Sequence, residues 1–401
     1  MDTLNETPRG ERLHIGIFGK RNSGKSSLLN ALTGQNTAVV SAVPGTTTDA
    51  VWKPIEIPGL GPCVLIDTAG FDDEGELGGM RVEKTRLAAE KTDVAVVLFT
   101  EDDMKLEGEW VKRFREADTP VVPVVNRTDI LPRDGVALAA RVGALTGEEP
   151  LSISAHTGAG LDRLYEAIAA HLPAGFGERS ITAGLAEAGD TVLLVMPQDI
   201  EAPKGRLILP QVQTIRELLD KKCTVISTTA DRLAESLSGL KEPPKLIITD
   251  SQVFPLVYSQ KPDKSLLTSF SVLFANYKGD IEFFTASAKK LRHLPATARI
   301  LIAEACTHRP LNEDIGRVKL PKLLKQALGD RISIEWCSGA DFPADLTPYA
   351  MIIHCGACMF NRHYVLSRAA RARAQGVPMS NYGLAIAGLT GILDKIALPS
   401  A

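Results

Sequence analysis

Two stretches near the end of the chain, EACTHRP (304–310) and IIHCGACMFNRH (352–363), each bring thiols and an imidazole together. As thiolates, Cys306, Cys355 and Cys358 are soft donors suited to zinc, to iron–sulfur clusters or to one another, and His308 and His354 add imidazole nitrogen. The two-residue gap of CGAC lets both sulfurs bend onto one site, with Gly356 easing the turn. Three chemistries compete. A dithiol redox pair uses Cys355 and Cys358 but gives Cys306 and the histidines no task. A Cys3His zinc site uses four of these five donors. A [4Fe–4S] cluster on three cysteines leaves one iron for a weaker ligand. Ligand chemistry alone ranks zinc ahead of the cluster and both ahead of the redox pair, although five donors for four positions favour a labile fourth ligand.

The start of the chain carries a different chemistry. GKRNSGKS (19–26) is G-x-x-x-x-G-K-S, set between the β-rich run LHIGIFG and a helical stretch, the context a phosphate-binding loop requires. Gly19, Asn22, Ser23, Gly24 and Ser27 are expected to wrap phosphates in backbone N–H groups, with Lys25 reaching the β- and γ-phosphates and the Ser26 hydroxyl ligating Mg²⁺. CVLIDTAG ends a strand in Asp67, placed to act on Mg²⁺ through water, and Gly70, whose N–H can sense a γ-phosphate. In NRTD, Asn126, Arg127 and Asp129 form a base site, and the Asp129 carboxylate accepts from the N1–H and exocyclic amine of guanine. An adenine would leave that carboxylate unpaired, so the expected nucleotide is GTP. Ser154 and Ala155 of SISAHTG add backbone contacts to the base.

These motifs need elements to hold them. Strand-like runs alternate with helical stretches at 81–91, 107–117, 136–146 and 160–171, so the expected architecture is α/β, a doubly wound P-loop domain over 1–178. Composition shifts past HLPAGFGERSITAGL, and strand, helix, strand, helix, strand follow, a small α/β domain placed at 179–264. A second small α/β domain is expected over 265–401, where ARILIAEA and YAMIIHCG are apolar strands, each ending in one half of the thiol group. If those strands are parallel neighbours, Cys306 converges with Cys355 and Cys358. After them, MFNRHYVLSRAARARAQG reads as a helix whose Arg362, Arg368, Arg371 and Arg373 form either a solvated face or a basic lip for an anionic guest. Its N-terminus favours thiolates and an anionic cluster. The loop with Asp199, Glu201, Lys204 and Arg206 reads as surface or as a polar contact.

Composition bounds the rest. A chain of 401 residues with 44% hydrophobic and 23% charged residues is globular and long enough for two or three domains. A net charge of −3 gives no drive toward nucleic acid, and no apolar run approaches the ~18–20 residues of a membrane span. The opening MDTLNETPRGERLH lacks a signal-like apolar core, so a cytoplasmic location is expected. Cys63, Cys223 and Cys337 read as small buried hydrophobes.

The five nucleotide elements resemble those of the Era/TrmE-like GTPases. That resemblance implies a K⁺ ligand in Asn22, which otherwise reads as a turn residue, and makes TTT (46–48) switch I, with Thr47 as the Mg²⁺-ligating hydroxyl. Lys25, Thr47, Asp67 and Gly70 are then the expected catalytic set. Phe71 follows DTAG where a water-orienting residue would stand, which implies slow intrinsic hydrolysis or an activator. The order of GTPase motifs, middle domain, C-x-H and HCxxC is similar to that of the [FeFe]-hydrogenase maturation GTPases, the HydF family. The resemblance implies a homodimer formed through the middle domain. Its cysteines, here Cys306, Cys355 and Cys358, ligate a [4Fe–4S] cluster, with His354 the favoured weak ligand and His308 nearby. It implies a transient diiron precursor with CO and cyanide as cargo, with radical-SAM maturases and apo-[FeFe]-hydrogenase as partners. It reverses the zinc-first ranking. The rival reading is an RNA-modification or ribosome-associated GTPase with a structural zinc.

Overall fold

The computed structural model describes residues 7–34, 51–57, 59–72, 76–131, 134–197, 207–305, 315–339 and 341–400. The chain divides into two compact units, residues 1–177 and 178–401.

The first unit is built on six strands, β1 (Leu13–Gly19), β2 (Val51–Ile57), β3 (Gly61–Asp67), β4 (Val94–Phe99), β5 (Val121–Val125) and β6 (Leu151–Ser152), in the order β2-β3-β1-β4-β5-β6. All neighbours are parallel except the β2–β3 hairpin pair. Because side chains alternate across a strand, β1 feeds two cores. Ile15 and Ile17 pack with Leu28, Leu29, Leu164 and Ile168, on the face of the helices Lys25–Thr33 and Leu161–Ala170. Phe18 packs on the other face with Trp110, Val111 and Phe114 of the helix Lys105–Glu116. A sheet covered on both sides explains why β1, β4 and β5 read as continuous apolar runs. Gly19, Asp67 and Asn126 all fall at the C-terminal edge of this sheet, where open α/β sheets bind ligands.

The second unit holds two parallel four-stranded sheets. One, ordered β10-β9-β7-β8, uses β7 (Thr191–Val195), β8 (Thr224–Thr228), β9 (Leu246–Thr249) and β10 (Leu266–Ser269). The other, ordered β12-β11-β13-β14, uses β11 (Arg299–Glu304), β12 (Ser333–Ser338), β13 (Met351–His354) and β14 (Met379–Asn381). The middle sheet therefore extends past the boundary expected after 264. β10 pairs with β9 from Leu266↔Leu246 to Ser269↔Thr249, and the chain leaves that sheet only through the helix Phe270–Lys278. One apolar core runs from Leu193 and Ile247 of the middle sheet through Val272 and Phe284 to Leu301, Ile352 and Ala369, which makes the unit a single body with two sheets. No helix among the described residues is long and apolar enough to cross a membrane.

Candidate functional site: a nucleotide cradle and a thiol turn

In the first unit, the loop between β1 and the helix Lys25–Thr33 is pre-shaped for phosphate. Asn22 sits at φ 57°, a left-handed conformation that asparagine tolerates, and Gly24 at φ 93°. A Cβ on Gly24 would lie 2.4 Å from the Asn126 side-chain nitrogen, so only glycine allows these two motifs to meet. Asn126 joins three of the sequence motifs. Its Nδ2 donates to the Ser23 carbonyl at 2.8 Å, and its Oδ1 accepts from the Ala155 amide at 3.0 Å. Ser154 Oγ donates to Asp129 Oδ1 at 2.7 Å, and this bond holds the exposed Asp129 carboxyl below its ordinary value, so it is ionised. Arg127 adopts φ 65° between them, and Ser27 occupies the first turn of the phosphate helix.

Lys25 folds over the loop, its Nζ donating to the carbonyls of Gly19 at 2.9 Å and Lys20 at 2.7 Å. Ser26 Oγ donates to Asp67 Oδ2 at 2.7 Å, which brings the two expected Mg²⁺-site residues together. Burial raises the Asp67 pKa, opposed by the Ser26 hydrogen bond and the charges of Lys25 and Lys53. Asp67 Oδ1 is buried with no hydrogen-bond partner among the described residues. A buried carboxylate oxygen left open beside a serine hydroxyl is suited to a divalent cation or its water, so these residues fit Mg²⁺. Thr47, the remaining expected ligand, lies outside the described residues with the rest of 46–48.

Gly70 lies against the phosphate loop: a Cβ there would meet the Arg21 amide nitrogen at 2.8 Å. The Phe71 amide donates to the Gly19 carbonyl at 3.3 Å, while the Phe71 ring turns into the core and stacks on Trp110 at 4.8 Å. That ring is an anchor, not a stand-in for a water-orienting group. Two contributors escaped the sequence reading. Asp72 accepts from the Arg21 amide at 2.6 Å, closing the segment after DTAG onto the loop. Lys20, itself buried, reaches Glu101 at 2.7 Å and the buried Glu107 at 3.7 Å. Burial would lower the Lys20 pKa, but its acidic partners outweigh that and raise it. The signal for this cluster was a lone acid, Glu107, on the buried stripe of the helix Lys105–Glu116.

In the second unit, β11 and β13 are parallel neighbours with Ala303 opposite His354, as the converging-strand expectation required. The chain after each strand therefore emerges side by side. The Cys355 amide donates to the Ala303 carbonyl at 2.9 Å, and the Ala305 amide donates to Cys355 Sγ at 3.1 Å. The CGAC turn is made by Ala357 at φ 47°, while the space beside Gly356 is open. Burial raises the Cys355 pKa, and the Ala305 and Ala357 amides and the Arg368 charge pull against that rise. Cys306 and His308 lie outside the described residues, within 306–314, as does the loop bearing Asp199, Glu201, Lys204 and Arg206. Among the described residues no group of three or more histidine, cysteine, aspartate or glutamate side chains is arranged to hold a metal. The chemistry of the donor set nevertheless fits an iron–sulfur cluster: half-buried cysteines in an open turn, one receiving amide N–H bonds at sulfur, beside the strand end that leads into Cys306.

His354, the expected weak ligand, lies inside the sheet rather than open beside the turn. It is 1% exposed, on the face of β13 covered by the helix Arg362–Ala374. Its Nε2 lies 3.0 Å from Arg368 Nη1 and its Nδ1 2.7 Å from the Cys355 carbonyl. A guanidinium only donates, so Nε2 is the acceptor and Nδ1 carries the proton. Both nitrogens are engaged. Burial and the Arg368 charge push its pKa down to about 3, so the ring is neutral.

The arginines do not share one surface: Arg368 is buried, Arg362 and Arg371 are half-buried and Arg373 is exposed. Arg368 is 1% exposed, stacked 4.3 Å from the Tyr364 ring and 4.6 Å from that of Phe342. Arg373 pairs with Asp280 at 2.5 Å, and Arg371 lies 5.6 Å over Phe342. Arg362 donates to the carbonyls of Asn276, Tyr277 and Gly279. The buried Lys278 answers it, donating to the Cys358 and Phe360 carbonyls at 3.3 and 2.7 Å. Two cations thus clasp the end of the helix Phe270–Lys278 to the turn that carries the thiols. Cys63, Cys223 and Cys337 are buried, as read from the sequence.

Comparison with known proteins separates the two units. Residues 14–127 match the family model of the 50S ribosome-binding GTPases. The chain is 37% identical over 173 residues to the tRNA modification GTPase MnmE of Heliobacterium modesticaldum, covering 42% of this chain and 36% of that protein. It is 38% identical over 157 residues to MnmE of Bordetella petrii, 38% of this chain and 32% of that one. The chain spans about a third of the length of these curated relatives. Era from Aquifex aeolicus superposes at 20% identity with a TM-score of 0.38, over 64% of this chain and all of that structure. Beyond the GTPase unit, residues 181–279 match the hydrogen maturase F dimerization domain and residues 282–399 its tetramerization domain. The chain belongs to the hydrogen maturase F family. Its first unit is a P-loop GTPase domain fitted for GTP and Mg²⁺, and the two hydrogen maturase F domains point to oligomerization. The join between those domain models, at 279–282, agrees with the exit from the middle sheet through the helix Phe270–Lys278.

Proposed function

We propose that the protein is a GTP-controlled scaffold of hydrogenase maturation. It holds a [4Fe–4S] cluster on Cys306, Cys355 and Cys358, carries a diiron CO/cyanide precursor, and delivers that diiron unit to apo-[FeFe]-hydrogenase after radical-SAM maturases have built it. The observation that carries the reading is the pairing of β11 with β13, each strand running directly into one half of the thiol set, inside a hydrogen maturase F domain. Three thiolates anchor the cluster and leave its fourth iron for a ligand that exchanges. The middle domain makes the homodimer, in keeping with its dimerization match. GTP hydrolysis uses Lys25, Thr47, Asp67 and Gly70, with Asn22 placed to ligate K⁺ beside the phosphates. Likeness to the tRNA modification GTPases stays at the level of the GTPase unit, so the zinc-bearing RNA reading gains nothing from it. The test is transfer. Protein reconstituted with iron and sulfide, loaded by the maturases and re-isolated, should activate purified apo-hydrogenase, whereas the Cys355→Ala protein should not. Equal activation by both would refute the proposal.

A further inference from the structure

The histidine beside the thiol turn is held in a way the chemistry of a ligand does not need. Arg368 reaches from the middle of the helix Arg362–Ala374 into the sheet, where its guanidinium also donates to the Gly339 carbonyl and the Tyr364 hydroxyl. The Tyr364 hydroxyl itself donates to the Gly339 carbonyl at 2.9 Å, and the rings of Phe342 and Tyr364 flank the cation. This enclosed group aims one N–H at His354 Nε2, the ring nitrogen whose lone pair a metal would need. For that lone pair to reach iron, a charge-assisted bond in a buried site must break and a guanidinium N–H must stay unpaired, a costly exchange. The other nitrogen is spent on the carbonyl of Cys355, so the imidazole braces the backbone at the thiol turn.

We infer that Arg368 is a positioning residue that keeps His354 off the iron and sets it as a strut behind Cys355. The inference rests on the cluster reading above. Removing the guanidinium frees Nε2, and the imidazole beside Cys355 then becomes a ligand for the fourth iron. A lysine at 368 keeps a charged donor but loses the planar fork that stacks between the two rings, so Arg368→Lys should free Nε2 less than Arg368→Met does.

The test uses full-length protein labelled with 15N-histidine, reconstituted anaerobically with iron and sulfide and reduced for pulsed EPR. In the native protein any directly ligated histidine nitrogen should be unaffected by His354→Gln. Arg368→Met should gain a strong 15N-histidine coupling, weaker in Arg368→Lys and abolished in the Arg368→Met/His354→Gln double variant. A native coupling that His354→Gln removes would overturn the inference, as would an Arg368→Met protein with a full iron and sulfide complement and no new coupling. Should Arg368→Met fail to fold or to load iron, the comparison of native protein with His354→Gln still decides whether His354 ligates. Native protein that takes up no cluster would instead sink the functional reading and this inference with it.

Discussion

Replacing Asn126 with alanine tests the nucleotide cradle at the point where three motifs meet. The side chain is 1% exposed and makes two hydrogen bonds, one to the Ser23 carbonyl of the phosphate loop and one from the Ala155 amide of the base site. Each such bond contributes about 0.5–1.5 kcal/mol, and each buried partner left unsatisfied costs about 1–3 kcal/mol. The substitution should therefore cost roughly 2–4 kcal/mol, shared between the stability of the unit and its grip on nucleotide. If half of that falls on binding, the GTP dissociation constant rises about 5- to 30-fold, at 1.4 kcal/mol per decade. Asn126→Asp separates the two bonds, because a carboxylate still accepts from the Ala155 amide but cannot donate to the Ser23 carbonyl. Calorimetric titration with GTP and GDP, together with urea unfolding of each variant, measures both shares. An Asn126→Ala protein with native affinity and an unchanged unfolding midpoint would refute the claim that this residue joins the motifs.

Lys25→Ala should abolish GTP hydrolysis, read as phosphate release, while iron uptake by the thiol site persists. Matched rates in KCl and NaCl at equal ionic strength would rule out Asn22 as a K⁺ ligand, since the proposal expects faster turnover in KCl. Lys278→Met removes the cation that bonds the Cys358 and Phe360 carbonyls and should release iron faster to a chelator than native protein does; an unchanged rate would show the clasp to be irrelevant to the cluster. Burial raises the Glu217 pKa, but bonds from the Thr182 side chain and amide, the Ile181 amide and Ser180 outweigh it and hold the carboxyl below its ordinary value. A depressed carboxylate stabilises the fold above its unfolded pKa of ~4.3 and loses that contribution as pH falls through the folded value. Glu217→Gln should thus lower unfolding free energy by about 1–3 kcal/mol at pH 7, with the difference shrinking below pH ~4; a pH-independent difference would contradict this assignment.

The nucleotide site was legible in the sequence because its parts are short contiguous motifs, each at a strand end. Ser26 and Asp67 meet as their types and order suggested, whereas the side-chain bond of Ser154 to Asp129 was not read from the motifs. What stayed hidden depends on side chains crossing long stretches of chain. Lys20 meets Glu107, and Asp72 meets the Arg21 amide, through tertiary packing; the acid Glu107 on a buried helix stripe hinted that it needs a partner but not which one. The thiol strands could be read as neighbours, since apolar runs ending in donors imply parallel pairing. The fate of His354 could not, because MIIH looks like a uniform buried strand, and only the helix laid over it supplies Arg368. Arg362 and Arg368 looked like part of a surface stripe because sequence does not reveal the carbonyls and aromatic rings that take them up. The boundary at 264 failed for a related reason: β10 is four residues long and runs straight into a helix, so its sheet partner is invisible locally.

The central claim is that Cys306, Cys355 and Cys358 hold one iron–sulfur cluster, and metal analysis joined to EPR tests it most directly. Native protein and the three single alanine variants would be reconstituted anaerobically with iron and sulfide, desalted, and assayed for iron, sulfide and zinc before reduction. The account predicts iron and acid-labile sulfide in equal amounts and a [4Fe–4S] signal in the native protein, lost or sharply reduced in every variant. Stoichiometric zinc with no cluster in the native protein, or an undiminished signal in Cys306→Ala, would contradict it.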